Sequence, residues 1–499
     1  MKKITMLAIV LAYFTCLFTN AQTQVGSTVF ASSTDENFAE TVTMSSDGKV
    51  LAISADGTNT TNGSGTGYVR IYKFDNTSNN WVQKGNNILG DNSGDKFGNS
   101  LALNSDGNLL AIGIPLSDFY SFQSGIVKVY EFNSSTNQWE QKGTNLTDGL
   151  TDYFTGNSIS FNSAGNRIAI GTPSSQSGGT HNGNIVIFDF DTTSNNWVQI
   201  GGTITGTENY TNLGYSVALD DTGNTVVAGG PGLYRNGNPA IDGVVKIYQL
   251  TGNSWVQKGQ NILGSETGDF FGATVDINAN GDQIIVGALL NDENSENAGK
   301  VEIYQFENSN WTKKGGSILG NEGDKLGSAV KLNNSGDRIT VGSNGFDTDK
   351  GKVETFKFLN NNWQKEGNAI IGTASGDRLG NSISINQNGE LVAIGSFRND
   401  DVNNYFQVFN TNSTLSLNDI RNDLFRFYIS NNILYINSNN TLIHDVKMYN
   451  SLGQEIKLNP LNSEFSELQF TKAISSNIYF LKLHTDNGIT NKKILFKKS

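Results

Sequence analysis

The residues able to carry acid–base, nucleophilic or metal chemistry are few and scattered. The 499-residue chain has three histidines and one cysteine. His181 stands far in sequence from His444 and His484. A serine–histidine–aspartate relay would have to be built on His181 alone, and a histidine metal site lacks further ligands. Carboxylates pose the opposite difficulty. The 47 Asp and Glu occur in nearly every loop segment, so spacing selects no pair for glycoside cleavage. No nucleotide-type phosphate loop is present. The residue types do not argue for catalysis, and a secreted hydrolase using loop carboxylates stays open as the alternative reading.

Composition fixes the elements that must position any site. Glycine is abundant (56), proline scarce (5), and a tenth of the residues are aromatic. That mix suits many short strands joined by Gly/Asn/Asp/Ser turns and disfavours a helical bundle. Residues 1–21 read as a signal peptide. Lys2 and Lys3 precede an apolar run, Ile4–Phe18, and Thr19-Asn20-Ala21 offers a small-residue cleavage site. Cys16 lies inside this leader, so the mature chain is expected to have no disulfide or thiolate chemistry. Without the two lysines the formal charge moves from −12 to −14, 33 basic against 47 acidic. Such a surface disfavours nucleic acid and anionic membrane as partners.

Repetition is the strongest signal. Trp81, Trp139, Trp197, Trp255, Trp311 and Trp363 are spaced 58, 58, 58, 56 and 52 residues apart, each in a phrase like Asn80-Trp81-Val82-Gln83-Lys84-Gly85. Gly98, Gly156, Gly214, Gly272, Gly327 and Gly380 keep nearly the same beat. Each period reads as four strands. In the second, Asn99–Leu103 alternates, 105–108 turns, Leu109–Ile112 is continuously apolar, Ile126–Phe132 alternates, and Trp139–Gly143 closes the unit. Four-stranded units of this length are propeller blades, and a tryptophan at one fixed place in each is a packing residue.

Turn glycines Gly48, Gly107, Gly165, Gly223, Gly281, Gly336 and Gly389 mark seven repeats, yet only six carry tryptophan. The seventh ends after Tyr405–Phe409 without a fourth strand. Gln24, Gly26 and Val29 align with Gln83, Gly85 and Ile88. The mature N-terminus is therefore expected to complete the last blade and remove two exposed sheet edges. The expected fold is all-β, a seven-bladed β-propeller over 22–410 closed by the N-terminal strand, then a linker at 411–421 and a small β-sandwich at 422–499.

In such a ring the loops between second and third strands share one face with the blade-to-blade connections. Here those loops are the variable segments, and variable loops on a rigid scaffold are where binding resides. They hold Phe119, Tyr120 and Phe122; His181; Tyr234 and Arg235; Asp292; Phe346 and Asp347; and Arg398. Aromatics with Arg and Asp suit a glycan or protein ligand, although each side chain alone could simply pack its own loop. A passive surface-layer component is the third reading.

The glycine words carry a resemblance. Phe97-Gly98 and Phe271-Gly272, weakened to Leu-Gly at 213–214, 326–327 and 379–380, pair with Gly113-Ile114-Pro115, Gly171-Thr172-Pro173, Gly230-Pro231 and Gly287-Ala288. Over about residues 35–410 the chain resembles the FG-GAP repeats of integrin α-subunit propellers, which implies extracellular recognition or adhesion. Many such repeats hold calcium in an Asp-x-Asp/Asn-x-Asp-Gly loop. The nearest match, Asp276-x-Asn278-x-Asn280-Gly281, has Ile284 where the closing carboxylate belongs. No metal site is therefore assigned. Calcium stays open only for acidic loops such as Asn291–Glu296 and Asp347–Asp349.

After the linker, Ile433–Ile436, Asp445–Tyr449 and Ile478–Leu483 read as strands. Met448-Tyr449-Asn450-Ser451-Leu452-Gly453-Gln454, Asn477-Ile478-Tyr479-Phe480-Leu481-Lys482 and the run Lys492-Lys493-Ile494-Leu495-Phe496-Lys497 resemble the type A C-terminal sorting domain of the Bacteroidetes type IX secretion system. Ser430-Asn431-Asn432 stands where Pro-Asn-Pro is usual, and Asn477 where glycine is usual. The resemblance implies type IX machinery as a partner, export through the periplasm, and release or attachment at the outer surface.

Overall fold

A computed structural model of the chain describes residues 22–31, 37–119, 122–149, 154–173, 181–232, 242–397 and 404–411. It also describes strand segments of the tail between 425 and 495. The expected leader, and nearly all of the expected linker, lie outside these residues. The chain divides into two compact units, the first ending at Ser413 and the second beginning at Thr414. The described residues are all-β, apart from a short turn at Phe346–Asp349 in which Asp347, Thr348 and Asp349 have positive φ. Among the described residues no helix is long and apolar enough to cross a membrane.

The described part of the first unit forms seven antiparallel sheets. The first sheet runs Phe38–Met44, Val50–Ala55, Tyr68–Asp75 and Asn80–Gln83. The second runs Ser100–Leu103, Leu109–Ile114, Ile126–Asn133 and Gln138–Gln141. Every residue of Val50–Ala55 is buried, as a central strand covered on both faces must be. In the seventh sheet, Ser382–Ile385, Leu391–Ser396 and Tyr405–Asn410 are joined by the two short strands Thr23–Gln24 and Val29–Phe30. Gln24 sits opposite Phe409 and Phe30 opposite Tyr405. In the first sheet Gln83 sits opposite Tyr72 and Leu89 opposite Tyr68, the same offset.

Three sets of contacts hold sheet to sheet. On one side, the hairpin turns are linked in a cycle of backbone hydrogen bonds. Ser46 N–H donates to Ser105 O, Ser105 to Ser163, Ser163 to Asp221, Asp221 to Ala279, Ala279 to Asn334, Asn334 to Gln387, and Gln387 back to Ser46. At the rim, each indole N–H donates to the preceding sheet: Trp139 to Lys84 O at 3.0 Å, Trp197 to Lys142 O at 3.1 Å, and Trp81 to Val25 O at 3.0 Å. The tryptophans are almost fully buried or half-buried, so they are packing residues.

The third set explains the glycine words. Gly98, Gly156, Gly214, Gly272, Gly327 and Gly380 have φ between +86° and +93°, a region closed to most side-chain-bearing residues. Each lies against a glycine, or Ser54, of the preceding sheet. A Cβ on Gly171 would come within 1.9 Å of Gly214 O, one on Gly229 within 2.0 Å of Gly272 O, and one on Gly342 within 2.1 Å of Gly380 O. In the fourth sheet both Gly229 and Gly230 lie against Gly272, whose own Cβ would come within 3.3 Å of Gly230 N. One on Gly395 of the seventh sheet would reach Ala39 O of the first at 2.2 Å. Backbones meet there, and no side chain fits between.

In the second unit, Phe425–Ser430, Ile433–Ser438, Glu467–Phe470 and Leu458–Pro460 form one four-stranded sheet. Glu455–Ile456, Ile443–Asn450, Ile478–Thr485 and Gly488–Leu495 form another. The three strands expected here all occur, each a few residues longer than the expected span.

Candidate functional site

The second-to-third-strand loops and the sheet-to-sheet connections are hydrogen-bonded to one another. Leu116 N–H donates to Asp95 O, Phe154 to Gln123 O, Asn212 to His181 O, Leu290 to Asp269 O and Gly345 to Asp324 O. Both loop families therefore lie on one face, opposite the cyclic turns.

The expected ligand residues are held within their loops. Phe119 and Phe122 are 59% and 67% exposed, on a loop where Asp118 accepts from Gln123 N–H. The His181 ring lies 6.5 Å from that of Tyr210. Asp292 accepts from Asn297 N–H at 2.6 Å, and Asp347 pairs with Lys350 at 2.6 Å. Lys352 sits 4.6 Å over the Phe346 ring. Tyr120, Tyr234, Arg235 and Arg398 lie outside the described residues. In the two loops left open for calcium, Asn291 is bonded to Asp269 and Glu293 to Lys300, while Asp349 lies 3.8 Å from Arg378. Among the described residues no group of three His, Cys, Asp or Glu could hold a metal.

The centre of the ring of first strands is a channel of about 230 Å³ lined by Thr41, Ser100, Ser158, Ser216, Thr274, Ser328 and Ser382. These hydroxyls bond between sheets. Thr41 donates to Asn99 O and Ser100 to Gly156 O, while Ser158 accepts from Val217 N–H and Ser382 from Val42 N–H. A girdle already bonded in this way has little to offer a ligand.

One titratable cluster stands at the loop-side end of the first sheet. Lys96 Nζ lies 2.6 Å from Asp56 Oδ2, and Asn37 donates to Asp56 Oδ1 at 2.8 Å. Burial, then the charge of Asp56 and a hydrogen bond to it, pushes the Glu40 carboxyl up to about 8, with Lys96 opposing. Glu40 Oε2 is buried with no hydrogen-bond partner. Both oxygens of the Asp56 carboxylate are already engaged, one by Asn37 and the other by Lys96. The cluster instead ties the first sheet to the connection entering the second.

A cleft of about 720 Å³ lies on the first sheet. Its upper wall is the loop segment Thr58–Thr61, and its floor Tyr68 and Arg70 of the third strand. Gln83, Asn87 and Leu89 close the far side. The loop is rigid because Thr60 and Gly63 exchange both backbone hydrogen bonds, and Asn59 Oδ1 accepts from Ser64 Oγ and Gly65 N–H. The Arg70 guanidinium lies 4.6 Å over the Tyr68 ring and donates from Nε to Asn87 at 3.0 Å. Thr58 is 6% exposed, and its hydroxyl has no partner. An unsatisfied buried hydroxyl costs about 1–3 kcal/mol. Sequence reading missed this cleft. The Thr- and Asn-rich run 58–62 resembles any polar loop, and Arg70 sits in an ordinary strand pattern.

Two family matches accompany this geometry. Residues 264–304 match the FG-GAP repeat, and residues 430–497 match the secretion system C-terminal sorting domain. No curated protein matches the chain. Among solved structures, U3-55K is 12% identical and covers 78% of this chain and 98% of its own, with a TM-score of 0.46. The β-propeller domain of Cps50 (Swd1) from Myceliophteria thermophila is 9% identical over 77% and 98%, at 0.48. The periplasmic gluconolactonase PpgL of Pseudomonas aeruginosa is 13% identical over 71% and 94%, at 0.44. At such scores and identities nothing about function follows. The chain carries an FG-GAP repeat in its first unit and a type IX sorting domain in its second, and that domain marks it for export to the cell surface or extracellular space.

Proposed function

We propose that the protein is an exported binding module. A seven-bladed β-propeller over residues 22–410, closed by strands of the N-terminal segment, presents a loop-built face to a glycan or protein ligand. A linker at 411–421 joins it to a sorting β-sandwich at 422–499, which engages the type IX machinery. The leader is removed after Ala21. The cycle of turn-to-turn hydrogen bonds and the Gly395–Ala39 approach support the closed ring.

The observation that carries the binding reading is the contrast between the ring's two sides. One repeats the same bonded turn seven times. The other varies loop by loop and exposes Phe119 and Phe122. Uniform scaffold with a variable face is how recognition surfaces are built. Purified full-length protein is expected to bind selected glycans or matrix proteins on arrays. Silence across both, with and without calcium, would count against the reading. Deleting residues 422–499 is expected to leave the propeller in the periplasm, and normal export of that truncation would refute the sorting role.

A further inference from the structure

One of the six tryptophans is set apart from the rest. Five are 3–6% exposed, whereas Trp255 is only partly buried. The joint between the third and fourth sheets lacks the cover that the repeat supplies elsewhere. At other joints the lysine of the Gln-Lys-Gly phrase lies over the rings of the next sheet. Lys84 is 4.5 Å from the centre of Phe132 and 5.2 Å from that of Trp139, and Lys258 is 4.8 Å from Phe306 and 5.8 Å from Trp311. Here Ile200 holds the lysine's place and Leu250 the phenylalanine's. Elsewhere a side-chain amide also meets the tryptophan backbone. Trp139 N–H donates to Asn86 at 2.8 Å, Trp311 N–H to Gln260 at 3.0 Å, and Trp363 N–H to Asn362 at 3.0 Å. The residues at those two positions beside Trp255 are Gly202 and Ser254, which carry no amide.

Trp255 lines a pocket of about 310 Å³ together with Tyr248, Gln257, Thr203 and Thr205. Small-ligand sites begin at roughly this size, about 300 Å³. Thr203 and Thr205 are both exposed, on either side of the buried Ile204, so their hydroxyls are within reach of a solute. The Gln257 amide is fixed by Asn261 at 2.8 Å. Lys246 also lines the pocket, but Glu208 holds its ammonium at 2.6 Å and Thr207 at 3.0 Å. Its charge is met within the chain, which leaves the pocket suited to a neutral ligand. The negative face of an indole attracts C–H groups, and a pyranose with equatorial hydroxyls turns its C–H bonds to either side of the ring. Hydroxyls and amides both donate and accept, as the hydroxyls at the edge of such a sugar do.

We propose that this pocket binds a neutral hexopyranose of a polysaccharide, stacked on Trp255 with its hydroxyls at Thr203, Thr205 and Gln257. The edge of Trp255 packs as the other tryptophans do, its indole N–H donating to Ile200 O at 3.3 Å, and the ring serves as the platform. The assignment rests on the binding-module reading and narrows it to one ligand class and one site.

The test uses the intact protein and two probes of equal length, cellohexaose as the neutral one and hexagalacturonate as the charged one. The other five tryptophans are buried, so acrylamide should quench the emission of Trp255 ahead of theirs. The expected result is saturable cellohexaose binding, insensitive to salt, that shields this emission from acrylamide. Trp255→Phe should remove the quenchable component and weaken binding roughly tenfold or more. Thr203→Val combined with Thr205→Val removes two exposed hydroxyls while keeping their shape, and should weaken binding roughly fivefold or more. That pair should melt like the parent, which separates lost recognition from lost folding. Cellohexaose binding that leaves acrylamide quenching unchanged, or that these variants do not weaken, would overturn the assignment. Binding of hexagalacturonate alone would overturn it as well. Binding of other glycans or matrix proteins with none of either probe would do so too, while leaving the wider binding reading intact. Silence toward everything would sink both.

Discussion

The two sides of the first unit obey different rules. On the turn side, each sheet repeats one hairpin whose glycine N–H returns to a residue three earlier, as Gly107 does to Asn104 and Gly281 to Asn278. Every turn then bonds to the next around a cycle. On the loop side, lengths and residues change from sheet to sheet, and bonds run within loops or to an adjacent connection. One side bears the cost of holding neighbours together, so its sequence cannot drift. The other is anchored at its ends only and is open to specialisation. The Thr58–Thr61 wall and the Phe119–Phe122 loop are two different outcomes at equivalent places.

The comparison can be broken most severely at the interfaces between sheets. Gly171→Val would force side-chain atoms onto Gly214 O, where even a Cβ would lie at 1.9 Å. Backbone cannot yield on either side, so the loss of stability should exceed about 3 kcal/mol, read as a collapsed melting temperature. A variant that melts like the parent would refute the close packing assigned to the glycine words.

A smaller effect is expected where the loop side meets the scaffold. The folded Glu40 carboxyl keeps its proton to about pH 8, against 4.5 for an ordinary one. Its contribution is therefore full below the unfolded value and lost as pH rises from 4.5 through 8. Glu40→Gln should melt like the parent at pH 4.5 and above it at pH 8.5, by on the order of 2 kcal/mol. An unchanged pH slope would mean that Glu40 is not buried against Asp56.

The smallest effect belongs to the exposed loop tips. Phe122→Ala, at a residue 67% exposed, should shift stability by less than about 0.5 kcal/mol. Chemical denaturation would check this. A large loss would place Phe122 in the scaffold rather than on a free recognition surface.

Much of this organisation was legible in the residues. Tryptophans and glycines recurring in one register could be nothing but repeated structure, because packing and positive φ each demand a particular residue type at a fixed place. The glycine words could be read as words, but their reason could not. Gly171 and Gly214 meet only after two sheets stack, and no local pattern shows which backbone touches which.

The candidate site was less legible. The candidate residues were chosen by type and loop position. Of the described ones, Asp347 is bonded to Lys350 and Asp292 to Asn297, whereas Phe119 and Phe122 are exposed. Glu40, Asp56 and Lys96 are ordinary surface residue types, and only folding brings them to one partly buried spot.

The amino-acid order alone therefore settled repeat, strand pattern and destination, since these depend on local periodicity and on contiguous signals. Tertiary structure alone decided which polar groups lose water and which find partners, because burial is a property of neighbours distant in the chain. The unsatisfied Thr58 hydroxyl beside the oriented Arg70 is the clearest case.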